Sequence, residues 1–131
     1  ALRSCALLGI SCLWVTWDDM MGRIRASYSA ARGSGADESQ SRLGIIRECA
    51  GVSVLVLDDI KPDGEHGARV AEELFGARWD ASSRDRRLVN IITTNLDTEA
   101  LMEAVGPRVF SRIKDAASAF ELTGADQRGK R

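Results

Sequence analysis

Two adjacent carboxylates, Asp58 and Asp59, close the aliphatic run Val52-Ser53-Val54-Leu55-Val56-Leu57. Aliphatic residues without polar alternation indicate a strand buried on both faces of a helix-covered parallel sheet. Acids do not belong in such a core, so the strand must release them at its C-terminal end, the edge where open α/β sheets bind ligands. The plain alternative is a core strand followed by an acidic turn. Asn95 follows a second apolar run, Leu88 to Thr94. Its amide can bond a phosphate oxygen and an attacking water without the repulsion a carboxylate would bring; a turn-forming Asn is the alternative there. Arg108 and Arg112 lie four apart on a helix opened by Pro107, hence on one face. Two guanidinium groups on a rigid helix suit phosphate recognition. Lys114 and Asp115 show that part of this helix is solvated, which is the bland reading of the arginines.

The elements that must position these residues alternate along the whole chain. Ala1 to Leu8 reads as the end of a helix stopped by Gly9, and Ile10 to Thr16 as a strand. Asp18 is expected to cap a helix over Asp19 to Tyr28, with Met20, Ile24 and Tyr28 on one face. Gly33 to Asp37 reads as a loop, and Glu38 to Cys49 as a helix turning Leu43, Ile46 and Cys49 inward. After the acid pair, Ala68 to Asp80 is expected to bury Val70, Leu74 and Phe75. Thr98 to Val105 forms a short helix, Gly106 stops it, and Pro107 opens the next, whose Val109, Phe110 and Ile113 face the core. Ala119 to Leu122 reads as a last strand. Strands alternating with helices imply one α/β domain, a three-layer sandwich around a parallel sheet.

At 131 residues the chain can bury a real core, and 44% apolar with 28% charged residues is ordinary for a globular protein. A net charge of −1 draws the chain to nucleic acid by no overall field, so any such contact is a local patch. Cys5, Cys12 and Cys49 have no metal-ligand spacing and read as small buried hydrophobes in a reducing compartment. No apolar stretch approaches the ~18 residues that span a bilayer. The expected setting is cytoplasmic, with no membrane partner. A start at Ala1, inside a helical pattern, suggests a fragment.

An apolar strand ending in Asp-Asp resembles the Walker B pattern of P-loop ATPases. There the first acid holds Mg²⁺ through water and the second orients the water that attacks the γ-phosphate. The order WVTWDDMMGRIRASY, VLVLDDI, IITTNLD, VGPRVFSRI and FELTGADQR resembles the DnaC/IstB group of AAA+ ATPases over about Ala1 to Arg128. These are bacterial and phage helicase loaders and transposition helpers. By that resemblance Asp58 is the ATP-Mg²⁺ residue, Asp59 the water-polarising acid and Asn95 sensor 1. Arg112 is similar to the arginine finger that reaches a neighbouring subunit's nucleotide, with Arg108 its companion. Arg23, Arg25, Tyr28 and Arg32 match the family's single-stranded DNA contacts, and their basic-plus-aromatic character suits phosphate contact and base stacking. A solvated face is the alternative for that group.

One departure outweighs the matches: nowhere is there a G-x-x-x-x-G-K-[ST] loop. Gly33-Ser34-Gly35 lacks the Lys and the hydroxyl, and Asp37 and Glu38 would repel phosphate. The chain therefore resembles a partial AAA+ core, residues 1–131, running from the helix after the Walker A loop to the last core strand. The family strand order 5-1-4-3-2 then leaves Val54 to Leu57 central, between Ile10 to Val15 and Leu88 to Thr93. Ala119 to Leu122 is expected either detached or shifted inward against Leu88 to Thr93; if detached, Ile91 and Ile92 lie on an open edge. The leading reading is a helicase-loader module. It would bind ATP and Mg²⁺ between subunits of a homo-oligomer and deliver a replicative helicase to single-stranded DNA. The alternatives are an IstB-like transposition helper and a non-catalytic adaptor, and without Walker A the chain alone is expected to be inactive.

Overall fold

The computed structural model describes residues 7–30, 41–82 and 88–121. The chain runs β1 (Cys12–Thr16), α1 (Trp17–Ala30), α2 (Arg42–Gly51), β2 (Val54–Asp58), α3 (Gly64–Ser82), β3 (Val89–Ile92), α4 (Thr98–Val105) and α5 (Pro107–Ala116). All pairing is parallel in the order β1-β2-β3, with Thr16 opposite Asp58 and Leu57 opposite Ile92. The aliphatic strand that ends in the acid pair is therefore central, as its composition requires. The fold is the expected layered α/β architecture around an open parallel sheet.

Burial along β2 alternates: Leu55 and Leu57 are sealed, while Val54 and Val56 are half-buried. This differs from the expectation of a strand buried on both faces. Both crossovers step in the same direction across the sheet, and right-handed connections then pack on the same face. That face carries the core, in which Leu55 and Leu57 meet Met20, Ile24, Ile45, Cys49, Val70, Leu74, Val105 and Val109. The opposite face aligns Trp14, Val56 and Ile91 in register, and Trp14 and Ile91 are about half exposed, at 53% and 47%.

Local chemistry explains most element ends and corrects several expectations. The cap of α1 is Thr16, whose Oγ1 accepts from the Asp19 N–H at 3.0 Å, so Asp18 falls inside the first turn. Met20 and Ile24 are buried as expected, but Tyr28 is exposed. Ser41 caps α2, which turns Ile45, Ile46 and Cys49 inward and leaves Leu43 exposed. At 100° per residue, Leu43 lies about 110° around the helix from the middle of that face. Residues 38–40, and the expected loop over 33–37, lie outside the described residues.

Helix α3 starts earlier than its hydrophobic pattern suggests and buries Val70, Leu74 and Phe75 as expected. Asp97 caps α4, and Gly106 turns the chain at φ 83°, its N–H returning to the Met102 carbonyl, before Pro107 opens α5. Residues 117–121 form no strand, so over Ala119 to Glu121 the detached alternative holds; Leu122 lies outside the described residues. Cys49 is a buried hydrophobe, with its thiol pushed up to about 11 by burial.

Arg78, on α3, is 1% exposed and organises the end of the sheet opposite the acid pair. Its guanidinium donates to the carbonyls of Cys49 (3.0 Å), Ala50 (3.3 Å), Val52 (2.9 Å) and Val89 (2.9 Å), and to Asn90 Oδ1. The last turn of α2 leaves carbonyls without intrahelical donors, and a cation there satisfies them and opposes the helix dipole. Burial lowers the Arg78 pKa from its ordinary value, but a guanidinium starts so high that it stays charged near neutrality.

Candidate functional site

Three chain segments meet at the C-terminal edge of the sheet: the β1–α1 corner, the residues after β2 and the residues after β3. Thr93 extends the sheet beyond β3, its N–H bonding the Leu57 carbonyl at 3.1 Å and its own carbonyl accepting from Ile60 at 2.8 Å. Its side chain then serves both acids. The Thr93 hydroxyl donates to Asp58 Oδ1 and accepts from the Asp59 N–H at 2.8 Å. Thr94 Oγ1 secures the same turn through the Ile60 carbonyl at 2.8 Å.

Asp59 sits at φ 54°, a left-handed conformation that Asp tolerates better than most residues. The two carboxylates, adjacent in sequence, take different partners. Asp59 Oδ1 accepts from Asn95 Nδ2 at 3.0 Å, and Oδ2 pairs with Lys61 Nζ at 3.1 Å. Lys61 also reaches Asp18 at 2.9 Å, tying the first turn of α1 to the acid pair. Hydrogen bonds to Asp18 and Asp59 raise the Lys61 pKa above its ordinary value, so the ammonium persists throughout the neutral range.

The structure thus brings Asp58, Asp59 and Asn95 into one hydrogen-bonded cluster. Sequence reasoning missed Thr93, Lys61 and Asp18 as members. The adjacent Thr93-Thr94 hydroxyls were the available signal, since Ser and Thr beside acids readily bond local backbone. Nothing in the sequence marked Lys61, whose role depends on the left-handed turn at Asp59.

The other candidates lie elsewhere. Arg108 is largely exposed and pairs with Glu72 at 3.3 Å. Arg112 is half-buried, its Cζ 5.5 Å from the centroid of the Trp79 ring. Arg23 pairs with Glu48 at 2.5 Å, and Arg25 is exposed. The Tyr28 ring lies 5.9 Å from that of His66, tilted by 57°. Arg32 lies outside the described residues.

Among the described residues no group of three or more His, Cys, Asp or Glu side chains is arranged to hold a metal ion. Asp58, with one oxygen taken by Thr93, fits a Mg²⁺ that is shared with water and phosphate oxygens, which is how that ion is commonly held. The described residues offer Mg²⁺ a carboxylate, and the sequence holds no G-x-x-x-x-G-K-[ST] loop to cradle the phosphates. No helix among them is long and apolar enough to cross a membrane.

No family model matches the sequence, and no curated protein matches it. The fold does match solved structures. One is described as a DNA replication initiation factor, with a TM-score of 0.61 and 17% identity, over 86% of this chain and 31% of that one. Another is AMPPCP-bound DnaA from Aquifex aeolicus, with a TM-score of 0.56 and 16% identity, over 86% of this chain and 32% of that one. The chain therefore spans about a third of the length of these neighbours, and its fold resembles part of theirs.

Proposed function

We propose that the chain is the acid-, sensor- and finger-bearing part of a DNA-replication AAA+ ATPase of the DnaC/IstB helicase-loader kind. The observation that carries this reading is the linked cluster at the sheet edge. Asn95 bonds Asp59, while Thr93 joins Asp58 to the Asp59 backbone, across neighbouring strands. In this reading Asp58 holds Mg²⁺ through water, Asp59 polarises the attacking water, and Asn95 senses the γ-phosphate. Arg112, with Arg108 beside it, serves the nucleotide of an adjacent subunit. Arg23, Arg25, Tyr28 and Arg32 contact single-stranded DNA, and the assembled subunits deliver a replicative helicase to it. The names of the solved neighbours, a replication initiation factor and a nucleotide-bound DnaA, support the replication and nucleotide parts of this proposal.

Because the sequence contains no G-x-x-x-x-G-K-[ST], the 131-residue chain is expected to hydrolyse ATP no faster than its Asp59→Ala variant. The decisive experiment joins a strand and phosphate loop upstream of Ala1. Arg112→Ala should then abolish hydrolysis while leaving nucleotide binding nearly intact, since such fingers contribute about 10³–10⁵ in rate. Mixing Arg112→Ala with Asp59→Ala subunits should restore some turnover, because one kind of interface regains both groups. No recovery at any ratio, with both variants assembling normally, would sink the shared site.

A further inference from the structure

Arg112 differs from its helix neighbour Arg108 in how it is held. Arg108 is neutralised by Glu72, whereas among the described residues no carboxylate pairs with Arg112. The Arg112 guanidinium instead lies over the Trp79 ring, within the ~6 Å range of a cation–π contact. Gly76 stands one turn before Trp79 on α3, and a Cβ placed there would come within 3.9 Å of Arg112 Nη1. A longer side chain at position 76 would compete for that space. A bare backbone stretch and an aromatic face together form a shelf on α3 that receives the arginine from α5.

The chemistry of this arrangement is specific. A carboxylate partner would orient a guanidinium but consume its donors and charge. A ring face holds it through the quadrupole without placing a counter-charge on it, so its positive charge stays available to a planar or tetrahedral anion. We propose that Trp79 is the positioning residue of Arg112, presenting an oriented but unneutralised guanidinium to a phosphoanion. This rests on the reading of Arg112 as a phosphate-contacting group, and adds the element that makes it available. Pre-ordering a long side chain reduces the entropy lost on binding, so the shelf strengthens anion contact without touching the anion.

The test uses the full 131-residue chain, ¹⁵N-labelled, with the Arg112 Nε–H resonance assigned by its loss in Arg112→Lys. Protons above an aromatic face are shielded. The resonance should therefore be shifted upfield in the wild type, remain so in Trp79→Phe, and return to an ordinary position in Trp79→Leu. Inorganic pyrophosphate should perturb it in the wild type and in Trp79→Phe, with an apparent Kd roughly two- to twelve-fold weaker in Trp79→Leu, the ordering cost of one long side chain. Trp79→Gln provides a second non-aromatic variant should Trp79→Leu fail to fold. An unshifted resonance in the wild type, or one pyrophosphate affinity shared by all variants, would overturn the positioning role. A shifted resonance that pyrophosphate leaves untouched in every protein would instead overturn the phosphate reading beneath it.

Discussion

Asp58, Asp59 and Asn95 could be singled out as candidates, and placed at one sheet edge, because each ends an apolar run where a packed core would not tolerate it. Arg78 could not be read so, because a charged residue inside a helix pattern is ordinarily solvated. What buries it is a set of carbonyl acceptors at the end of α2 and the start of β3, none of which the sequence around Arg78 announces. Arg78→Met should therefore destabilise the chain by about 3 kcal/mol, because several buried carbonyls lose their donor at once. Arg78→Lys should recover less than half of that. An ammonium is a single point with three donors and cannot reproduce a planar fork spanning five acceptors. Urea titrations of the three proteins give these differences directly; a loss under about 1 kcal/mol in Arg78→Met would show that water replaces the guanidinium.

At the level of elements, the apolar pattern located the strands and the longer helices, and the Gly106-Pro107 pair located the α4–α5 junction. The errors arose where local chemistry is degenerate. Thr16 and Asp18 are both good cap residues, and the sequence does not say which side chain reaches the first free N–H. The entry to α3 was also hidden, because Gly64 to Gly67 looks like loop but is the first turn of the helix. Gly67 fits closely there: a Cβ at that position would lie 3.1 Å from the Pro62 Cα, so the loop would have to give by a few tenths of an ångström. Gly67→Ala should push back the segment bearing Lys61 and cost about 1–3 kcal/mol, as overpacking does. Thermal melting gives the cost, and NMR of the Lys61 ammonium shows whether its bridge to Asp18 and Asp59 is lost. A melting temperature equal to the wild type would mean that the loop yields freely.

For the whole molecule, the order of the strands was legible through the family resemblance, and the one-sided burial of the sheet was not, because that depends on crossover direction. Among the described residues β3 is an edge strand, with Val89 49% and Ile91 47% exposed, and Val56 links Ile91 across the sheet to the exposed Trp14. An apolar row reaching an unpaired edge favours self-association. The purified chain should show concentration-dependent sedimentation, and Ile91→Lys should suppress it while leaving the unfolding midpoint nearly unchanged. Equal sedimentation of both proteins would show that this edge is not the sticky surface. The Arg78 acceptors also bear on how the molecule comes apart. They lie 26 to 29 residues before it and 11 to 12 after it, so the guanidinium can engage them all only once the end of α2 and β3 have come together beside α3. Contacts that form after the rate-limiting step slow escape from the native state without hastening arrival. Arg78 is thus a latch on lifetime: replacing it should raise the unfolding limb of a chevron and leave the refolding limb almost where it was.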